Sequence, residues 1–399
     1  MKATDIARRK FMGSVAVLFG SARFGGLQLS AQSSGPARQA SDPAKAALPD
    51  PKKAADYDRL VKLANNENPY GPPESVMKAM NAAWKYSHRY AAPDGGLVDA
   101  IAEHHKVKPE NVLIGCGSSE ILKVVDDAFL PDHKLVVGVE PTYNTVYQYA
   151  TNSKAKAIAT RLTKTYDANI KEIIRVTKAN ARDVGIVYIC NPNNPTGRIV
   201  PKDEIKLLLE SIPGDIPVFI DEAYHHFVDD PNYEPSIKYV IEGRKVIVAR
   251  TFSKIAALAG LRVGYAVAPK ELIDQLKPFV MTYNTNHLAK HGAVVALKDT
   301  ANEARIKALN KQIRDKVTAD IAAMGYEVVP SQTNFFMINI KKDVASVADE
   351  FLKRGVIIGR KFAPMNEFMR ISVGTDAEMD VFMKAFREVF PAVSQTKRG

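Results

Sequence analysis

The chain has 399 residues, of which 46% are hydrophobic and 25% are charged. This balance is that of a globular protein and excludes a wholly disordered or collagen-like chain. No apolar run reaches the roughly 18–20 residues that a membrane span needs, which excludes a polytopic membrane protein. The length allows two or three domains with sizeable cores.

The positive charge is concentrated at the N-terminus. The net charge is +11, and residues 1–55 alone hold nine Lys or Arg against three Asp or Glu. The rest of the chain is nearly balanced and shows no basic stripe with interleaved aromatics, which disfavours nucleic-acid binding. The two cysteines, Cys116 and Cys190, are too few for a disulfide framework or a Cys-rich zinc site, and we expect no metal centre.

Residues 1–31 have the order of a secretory signal. Arg8 and Arg9 are followed by a mildly apolar stretch and then by small residues that suit a cleavage site. The arginine pair favours the bacterial twin-arginine route, and hence a periplasmic protein without stable membrane insertion. Arg23 interrupts the apolar stretch, and the alternative is a disordered basic tail on a cytoplasmic protein.

The folded body is predicted to begin near Tyr57, after a disordered linker at 32–56 that is rich in Ala, Ser and Pro. Short apolar runs then alternate with helical patterns. The runs show no polar alternation, which is typical of strands buried on both faces of a mostly parallel sheet. Together with the intervening helices they predict an α/β fold. The five runs cover residues 112–114, 135–139, 185–189, 218–220 and 245–249.

Polar or reactive residues follow each of these runs on its carboxyl side. Open α/β sheets bind ligands in the crevice at the carboxyl ends of their strands. We therefore expect one site that collects residues from well over a hundred positions of sequence. The candidates are Ser118, Ser119, Tyr143, Asn194, Asp221, Tyr224, Ser253 and Lys254.

Two of these candidates have distinctive chemistry. Lys254 precedes an apolar run, and a lysine in apolar surroundings can have its pKa lowered enough to act as a Schiff-base nucleophile. Asp221 ends an apolar strand, where a carboxylate is costly unless it is paired, and a pyridinium nitrogen would pair it. The alternatives are a solvated surface lysine and a helix-capping or structural carboxylate.

A phosphate site is indicated by the start of the helix that is predicted to follow the apolar run at 112–114. Backbone N–H groups and hydroxyls of Gly117, Ser118 and Ser119 can hold a phosphate there, and Arg262 can add a second charge. Taken alone, a serine before a helix is most often a cap, and Arg262 is most often a surface arginine.

Four separated motifs resemble those of the pyridoxal-phosphate (PLP) fold-type I aminotransferases, class I/II. They are NPNNPTG at 191–197, DEAY at 221–224, TFSK at 251–254 and AGLRVGY at 259–265. The resemblance covers roughly residues 57–392. Within the family, NENPYG at 66–71, RY at 89–90 and MRISVGT at 369–375 look most like histidinol-phosphate aminotransferase.

The resemblance implies a role for each matching residue of the cofactor site. Lys254, Asp221 and Tyr224 would be catalytic: Lys254 would bind PLP and move the proton, and Asp221 would keep the pyridine nitrogen protonated. The other expected cofactor contacts are Asn194 and Tyr224 at the ring oxygen, Tyr143 on the ring face, and Ser118, Ser119, Ser253 and Arg262 at the phosphate.

The resemblance also implies substrate contacts and a partner. Tyr90 would reach the phosphate of the neighbouring subunit, which implies a homodimer. Arg370 would bind the substrate carboxylate as a planar bidentate match, and Tyr70 would line the side-chain pocket. Arg360 is the candidate for a substrate phosphate, although the segment between it and Arg370 is shorter than is usual for histidinol-phosphate enzymes.

The implied domain organisation has two folded domains. An N-terminal arm at 57–87 would join the small domain, a large PLP-binding domain would cover 88–285, and a small α+β domain would cover 286–395. The implied reaction exchanges an amino acid and a 2-oxo acid, with histidinol phosphate and 2-oxoglutarate as the closest pair. The alternatives are another, aromatic amino acid as donor, or a PLP decarboxylase of the threonine-phosphate type.

Overall fold

The computed structural model describes residues 48–131, 133–152 and 155–392. The predicted signal at 1–31 and most of the predicted linker lie outside these residues. None of the helices in the described ranges combines the length and the apolar composition that a membrane crossing requires.

Twelve strands and thirteen α-helices make up the described chain. The strands are β1 Val61–Leu63, β2 Val112–Gly115, β3 Leu135–Glu140, β4 Lys156–Arg161, β5 Val184–Cys190, β6 Val218–Asp221, β7 Val246–Thr251, β8 Gly264–Val267, β9 Glu327–Val329, β10 Phe335–Asn339, β11 Val356–Ile358 and β12 Phe368–Ser372. The helices are α1 Ala54–Tyr57, α2 Glu74–Ala83, α3 Leu97–His105, α4 Ser118–Phe129, α5 Thr145–Asn152, α6 Ile170–Ala179, α7 Lys202–Ser211, α8 Ile237–Ile241, α9 Lys270–Leu276, α10 His287–Lys298, α11 Thr300–Ala323, α12 Ala348–Lys353 and α13 Asp376–Val389.

A seven-stranded sheet in the order β2-β8-β7-β6-β5-β3-β4 organises the larger part of the molecule. Only β8 runs against its neighbours β2 and β7, and the other pairs are parallel. All five predicted strands are present in this sheet and run in the same direction, which confirms the predicted α/β class.

Apolar side chains alternate between the two faces of the central strands. On β6, Val218 and Ile220 belong to the core on one face, whereas Phe219 belongs to the core on the other. Helices cover both faces, so a strand needs apolar residues at every position. This is why the central strands could be recognised as unbroken apolar runs.

Two strands of the sheet were not anticipated. β4 lies at the edge and begins with an exposed lysine, and β8 is only four residues long and begins with Gly264. A Cβ at Gly264 would lie 2.5 Å from the backbone nitrogen of Ser118. The glycine therefore allows β8 to pass directly under the start of α4.

A smaller unit is built from the C-terminal third and the N-terminal segment. It contains the antiparallel sheet β12-β10-β9 and the parallel pair β1–β11. Helices α11 and α13 pack on it through residues such as Ile313 and Phe382. The register of β1 with β11 ties the predicted N-terminal arm to this unit.

Two placements differ from what the sequence analysis anticipated. Helix α10, assigned there to the small domain, packs against α2 and α3, with Ala289 and Ala293 in the core of the large sheet. Helix α1 lies partly within the predicted linker. The small residues on α10 allow the close approach to α2, and periodicity alone does not say which sheet such a helix covers.

Candidate active site

A cavity of about 240 Å³ lies at the carboxyl ends of the central strands. It collects nine of the residues that the sequence analysis singled out, which are Ser118, Ser119, Tyr143, Asn194, Asp221, Tyr224, Ser253, Lys254 and Arg262. Asn65 and Glu67, from the segment after β1, complete one wall. The predicted convergence at one sheet edge is therefore observed.

One end of the cavity is suited to an anion. The Arg262 guanidinium donates to the hydroxyl oxygens of Ser253 and Ser119, both at 3.3 Å. Ser119 lies in the first turn of α4, where free backbone N–H groups favour negative charge. A Cβ at Gly117 would lie 2.2 Å from the Arg262 guanidinium, so only glycine leaves room for it here. A phosphate fits this combination of hydroxyls, guanidinium and helix start.

The floor of the cavity is formed by Asp221 at the end of β6. Its side chain is only 2% exposed. It accepts hydrogen bonds from the Ala223 N–H at 3.1 Å and from the Tyr188 hydroxyl at 3.5 Å. Burial raises the pKa of Asp221 to about 6. A buried carboxylate with so few partners is a good acceptor for a cationic ring nitrogen, because pairing offsets the cost of its burial.

Lys254 follows β7 by three residues and faces the same cavity. Its Nζ donates to the backbone carbonyl of Asn65 at 3.0 Å. Burial and the positive charge of Arg370 lower the pKa of Lys254 to about 8, while the charge of Glu67 partly opposes the shift. At pH 7 roughly a tenth of the Lys254 side chains are thus neutral amines, far more than for an ordinary lysine, and the neutral amine is the nucleophilic form.

A hydrogen-bonded chain runs from the cavity into the smaller unit. The Asn194 amide nitrogen lies 3.4 Å from the Tyr224 hydroxyl oxygen, and its Oδ1 accepts from Arg370 at 2.7 Å. Arg370, on β12, also donates to the Ala64 carbonyl at 2.5 Å, and its guanidinium lies over the rings of Phe335 and Phe362, 5.4 and 4.6 Å from their centres. Burial lowers the pKa of Arg370 to about 10, so the side chain remains a cation at neutral pH.

None of the four predicted substrate or intersubunit residues lines this cavity, and Arg370 is connected to it through its hydrogen bond to Asn194. Tyr70 lines a separate small cavity together with residues of α11. Arg360 is exposed and lies over the ring of Phe362, 4.4 Å from its centre. Tyr90 is 84% exposed and lines an apolar groove with Tyr283 and Trp84. Their roles stay predictions.

Several supporting residues were missed by the sequence analysis. Tyr188 is buried in the middle of β5 and reads as an ordinary core aromatic. Glu222 and Arg250 form a fully buried ion pair at 2.7 Å beneath the Tyr224 loop, and Glu222 also accepts from the Ser236 N–H at 2.6 Å. Glu222 and Arg250 each lie at or near the end of an apolar strand, and the two strands are neighbours. This was the signal in the sequence from which the ion pair could have been predicted.

The donor set as a whole suits a phosphorylated aromatic aldehyde with a ring nitrogen. Arg262 and the serines provide the anion site, Asp221 provides the carboxylate, and Lys254 provides the amine between them. Residues 58–386 match the family model of aminotransferase class I and II. The chain belongs to the class I and II aminotransferases. Its cofactor is pyridoxal phosphate.

Named relatives of this aminotransferase cover most of its length. It is 36% identical over 337 residues to histidinol-phosphate aminotransferase of Moorella thermoacetica, a match that covers 83% of this chain and 85% of the relative. The crystal structure of histidinol-phosphate aminotransferase from Sinorhizobium meliloti, in complex with pyridoxal-5'-phosphate, superposes with a TM-score of 0.77 at 26% identity and covers 83% of this chain and 90% of that one.

The decarboxylase alternative is not favoured. L-threonine-O-3-phosphate decarboxylase from Porphyromonas gingivalis superposes with a TM-score of 0.70, over 83% of this chain and 99% of that one, but at only 23% identity. This likeness shows the shared fold and no more. The relatives at higher identity are aminotransferases, and this protein is a PLP-dependent aminotransferase that acts on small molecules.

Proposed function

We propose that this aminotransferase exchanges the amino group of histidinol phosphate with 2-oxoglutarate. The convergence of Lys254, Asp221 and Arg262 on one cavity carries the cofactor chemistry. The names of the relatives, above all the Moorella thermoacetica enzyme at 36% identity, support histidinol phosphate as the amino donor, and 2-oxoglutarate follows from the resemblance of the sequence motifs. The alternative of a different, aromatic amino donor is not favoured by these relatives.

In this proposal each residue of the cavity has one task. PLP, when bound, supplies an electron sink for the carbanion formed at the substrate Cα. Asp221 would hold the ring nitrogen in its protonated form, and Lys254 would take the proton from the substrate Cα and deliver it to C4′ of the cofactor. Ser118, Ser119, Ser253 and Arg262 hold the phosphate, Tyr143 covers the ring, and Asn194 and Tyr224 bind the ring oxygen.

The substrate anion is assigned to the arginines of the smaller unit. Arg370 is buried, oriented by Asn194 and placed over two aromatic rings, which suits bidentate binding of a carboxylate. Arg360 shares the ring of Phe362 with Arg370. Its position near Arg370 supports a contribution to binding a substrate phosphate. Tyr70 would line the pocket for the substrate side chain.

A panel of amino donors tests the substrate assignment. The holoenzyme is incubated with 2-oxoglutarate and histidinol phosphate, phenylalanine, tyrosine or histidine, and glutamate formation is followed. The proposal predicts the largest kcat/KM for histidinol phosphate. A larger value for phenylalanine or tyrosine would replace it by the aromatic alternative.

We also propose that the protein is a homodimer. The apolar groove around Trp84, Tyr90 and Tyr283 has a volume of about 780 Å³, and Met281 beside Tyr283 is strongly exposed. Exposed aromatic groups of this kind mark contact surfaces. Sedimentation equilibrium of the holoenzyme is expected to give twice the chain mass, and Tyr90→Ala is expected to weaken PLP binding if Tyr90 reaches the neighbouring site.

The location of the enzyme is a separate proposal that rests on the sequence. Residues 1–31 carry the Arg8-Arg9 pair and would direct export of the folded, PLP-loaded enzyme to the periplasm. Replacing both arginines by lysine is expected to leave active enzyme in the cytoplasm and none in the periplasm. Wild-type protein found only in the cytoplasm with an intact N-terminus would instead favour the cytoplasmic alternative, in which the leader is a basic tail.

A further inference from the structure

Three consecutive residues after β1 each contact a different side chain of the proposed active site. The Ala64 carbonyl accepts from Arg370, the Asn65 carbonyl accepts from Lys254, and the Asn66 amide donates to Tyr224. The first two contacts use the backbone and do not depend on the side chain present. The third contact is made by the side-chain amide of Asn66, so it is the contact that a substitution can remove.

Asn66 is held in place from the smaller unit. Its side chain is 1% exposed, and its backbone has a φ of 56°, in the left-handed region. Its N–H donates to the Ser372 hydroxyl oxygen at 2.8 Å, and its carbonyl accepts from the Asn334 amide at 3.0 Å. Asn tolerates this backbone conformation better than most residues, but conformation alone does not require an amide.

The amide of Asn66 is oriented by Ser372. The Ser372 hydroxyl accepts from the Asn66 N–H and donates to Asn66 Oδ1 at 3.1 Å. This leaves Nδ2 to donate to the Tyr224 hydroxyl oxygen at 3.0 Å. Ser372 lies two residues beyond Arg370 on β12, so the strand that carries the substrate arginine also orients this amide.

The Tyr224 hydroxyl oxygen therefore lies beside two amide donors. Asn66 Nδ2 lies at 3.0 Å and Asn194 Nδ2 at 3.4 Å. The Asn194 amide cannot turn its oxygen toward Tyr224, because Oδ1 faces Arg370, which has only donors. An oxygen that accepts from both sides keeps its own hydrogen for a third partner. Burial raises the pKa of Tyr224, so the hydroxyl retains that hydrogen at neutral pH.

We propose that Asn66 is a positioning residue that makes Tyr224 a hydrogen-bond donor toward the cofactor rather than toward the protein. The inference rests on the proposed contact of Tyr224 with the ring oxygen of PLP. A donor at that oxygen stabilises its deprotonated form. Loss of the Asn66 amide should weaken this donor and raise the pH at which the visible absorption of bound PLP changes.

Two variants separate the amide from the backbone conformation. Asn66→Gly removes the amide and keeps the left-handed backbone, which glycine adopts without strain. Asn66→Asp keeps the shape but offers only acceptors to Tyr224, so its carboxylate should take the hydroxyl hydrogen. In both variants we expect the midpoint pH of the visible absorption change to rise and the Kd for PLP to be roughly three- to tenfold larger. Lys106→Gly, at a left-handed position that is exposed and far from Tyr224 in the sequence, is the control for the backbone change and should leave both values unchanged.

The result that overturns the inference is a wild-type midpoint and Kd in Asn66→Gly or in Asn66→Asp. A double-mutant cycle with Tyr224→Phe is the second arm: Asn66→Gly should add nothing once the hydroxyl is absent, and full additivity would also overturn it. If Tyr224→Phe itself leaves the midpoint unchanged, the proposed cofactor contact of Tyr224 is wrong and the inference falls with it. A shift in Tyr224→Phe but not in Asn66→Gly refutes the inference alone.

Discussion

The proposed cofactor side and the proposed substrate side of the active site are built in different ways. The cofactor side uses side chains at the ends of strands of a single sheet, such as Asp221 after β6 and Lys254 after β7. The substrate side depends on the smaller unit, where Arg370 is buried and hydrogen-bonded but Arg360 is exposed. A sheet edge fixes the positions of many residues at once, whereas the substrate side depends on how separate elements of the smaller unit are placed.

Lys254→Ala tests the centre of the cofactor side and should have the largest effect. The variant loses both the amine that binds PLP and the group that moves the proton, so we expect kcat to fall by at least about 10³-fold. The single-turnover reaction with glutamate measures this loss. In the wild-type holoenzyme, borohydride reduction followed by peptide mapping should place the label on Lys254. Lys206→Ala, on the exposed face of α7, is the control. Label on a different lysine would contradict the assignment.

Asp221→Asn tests the floor of the cavity. The amide has the shape of the carboxylate but cannot balance a cationic ring nitrogen, so we expect a loss of about 10²- to 10³-fold in kcat. The fold should persist, since the Ala223 N–H can still donate to the amide oxygen. Circular dichroism and steady-state kinetics check both points. Near-normal turnover would make Asp221 a structural residue.

Arg370→Lys tests the ordered part of the substrate side. An ammonium cannot make the two in-plane hydrogen bonds to Asn194 and Ala64 and also bind a carboxylate bidentately. We expect kcat/KM for glutamate to fall roughly 10- to 100-fold, mainly through KM, while the Kd for PLP changes little. If PLP binding is lost as severely as glutamate binding, the two sides of the cavity are not separable in this way.

Arg360→Ala tests the exposed part of the substrate side. We expect roughly a tenfold lower kcat/KM for histidinol phosphate and an unchanged half-reaction with glutamate, because glutamate carries no phosphate. Comparing the two half-reactions of the same variant provides the internal control. Equal losses in both half-reactions would indicate that Arg360 acts by positioning Arg370, through their shared contact with Phe362.

The pH dependence of PLP uptake is the smallest and most specific test. The pKa of Lys254 is lowered from 10.5 to about 8. Only the neutral amine attacks the aldehyde, so the rate of uptake by the cofactor-free enzyme should rise with pH and level off above about 8. Arg370→Ala removes a neighbouring positive charge and should move the midpoint upward. A rate still rising at pH 10 would show that Lys254 is not perturbed.

The sequence was sufficient to predict those parts of the site that follow from the geometry of the sheet. Unbroken apolar runs identified the central strands, and the polar residues after them converge as expected. It was not sufficient for β8, whose four residues give no periodicity, or for Asn66, whose partners Tyr224 and Ser372 are 158 and 306 positions away. The placement of Arg360 could not be derived either, because nothing local fixes the direction of an exposed side chain.

The position of β8 in the sheet has a consequence for how the enzyme is made. On the ribosome, β8 is synthesised after the other six strands of the large sheet, yet it lies between β2 and β7. Until it emerges, the nascent chain cannot bring Ser119, after β2, to Ser253, after β7. Such non-local pairing forms late. Capture of PLP by a nascent chain should therefore report the insertion of this last strand.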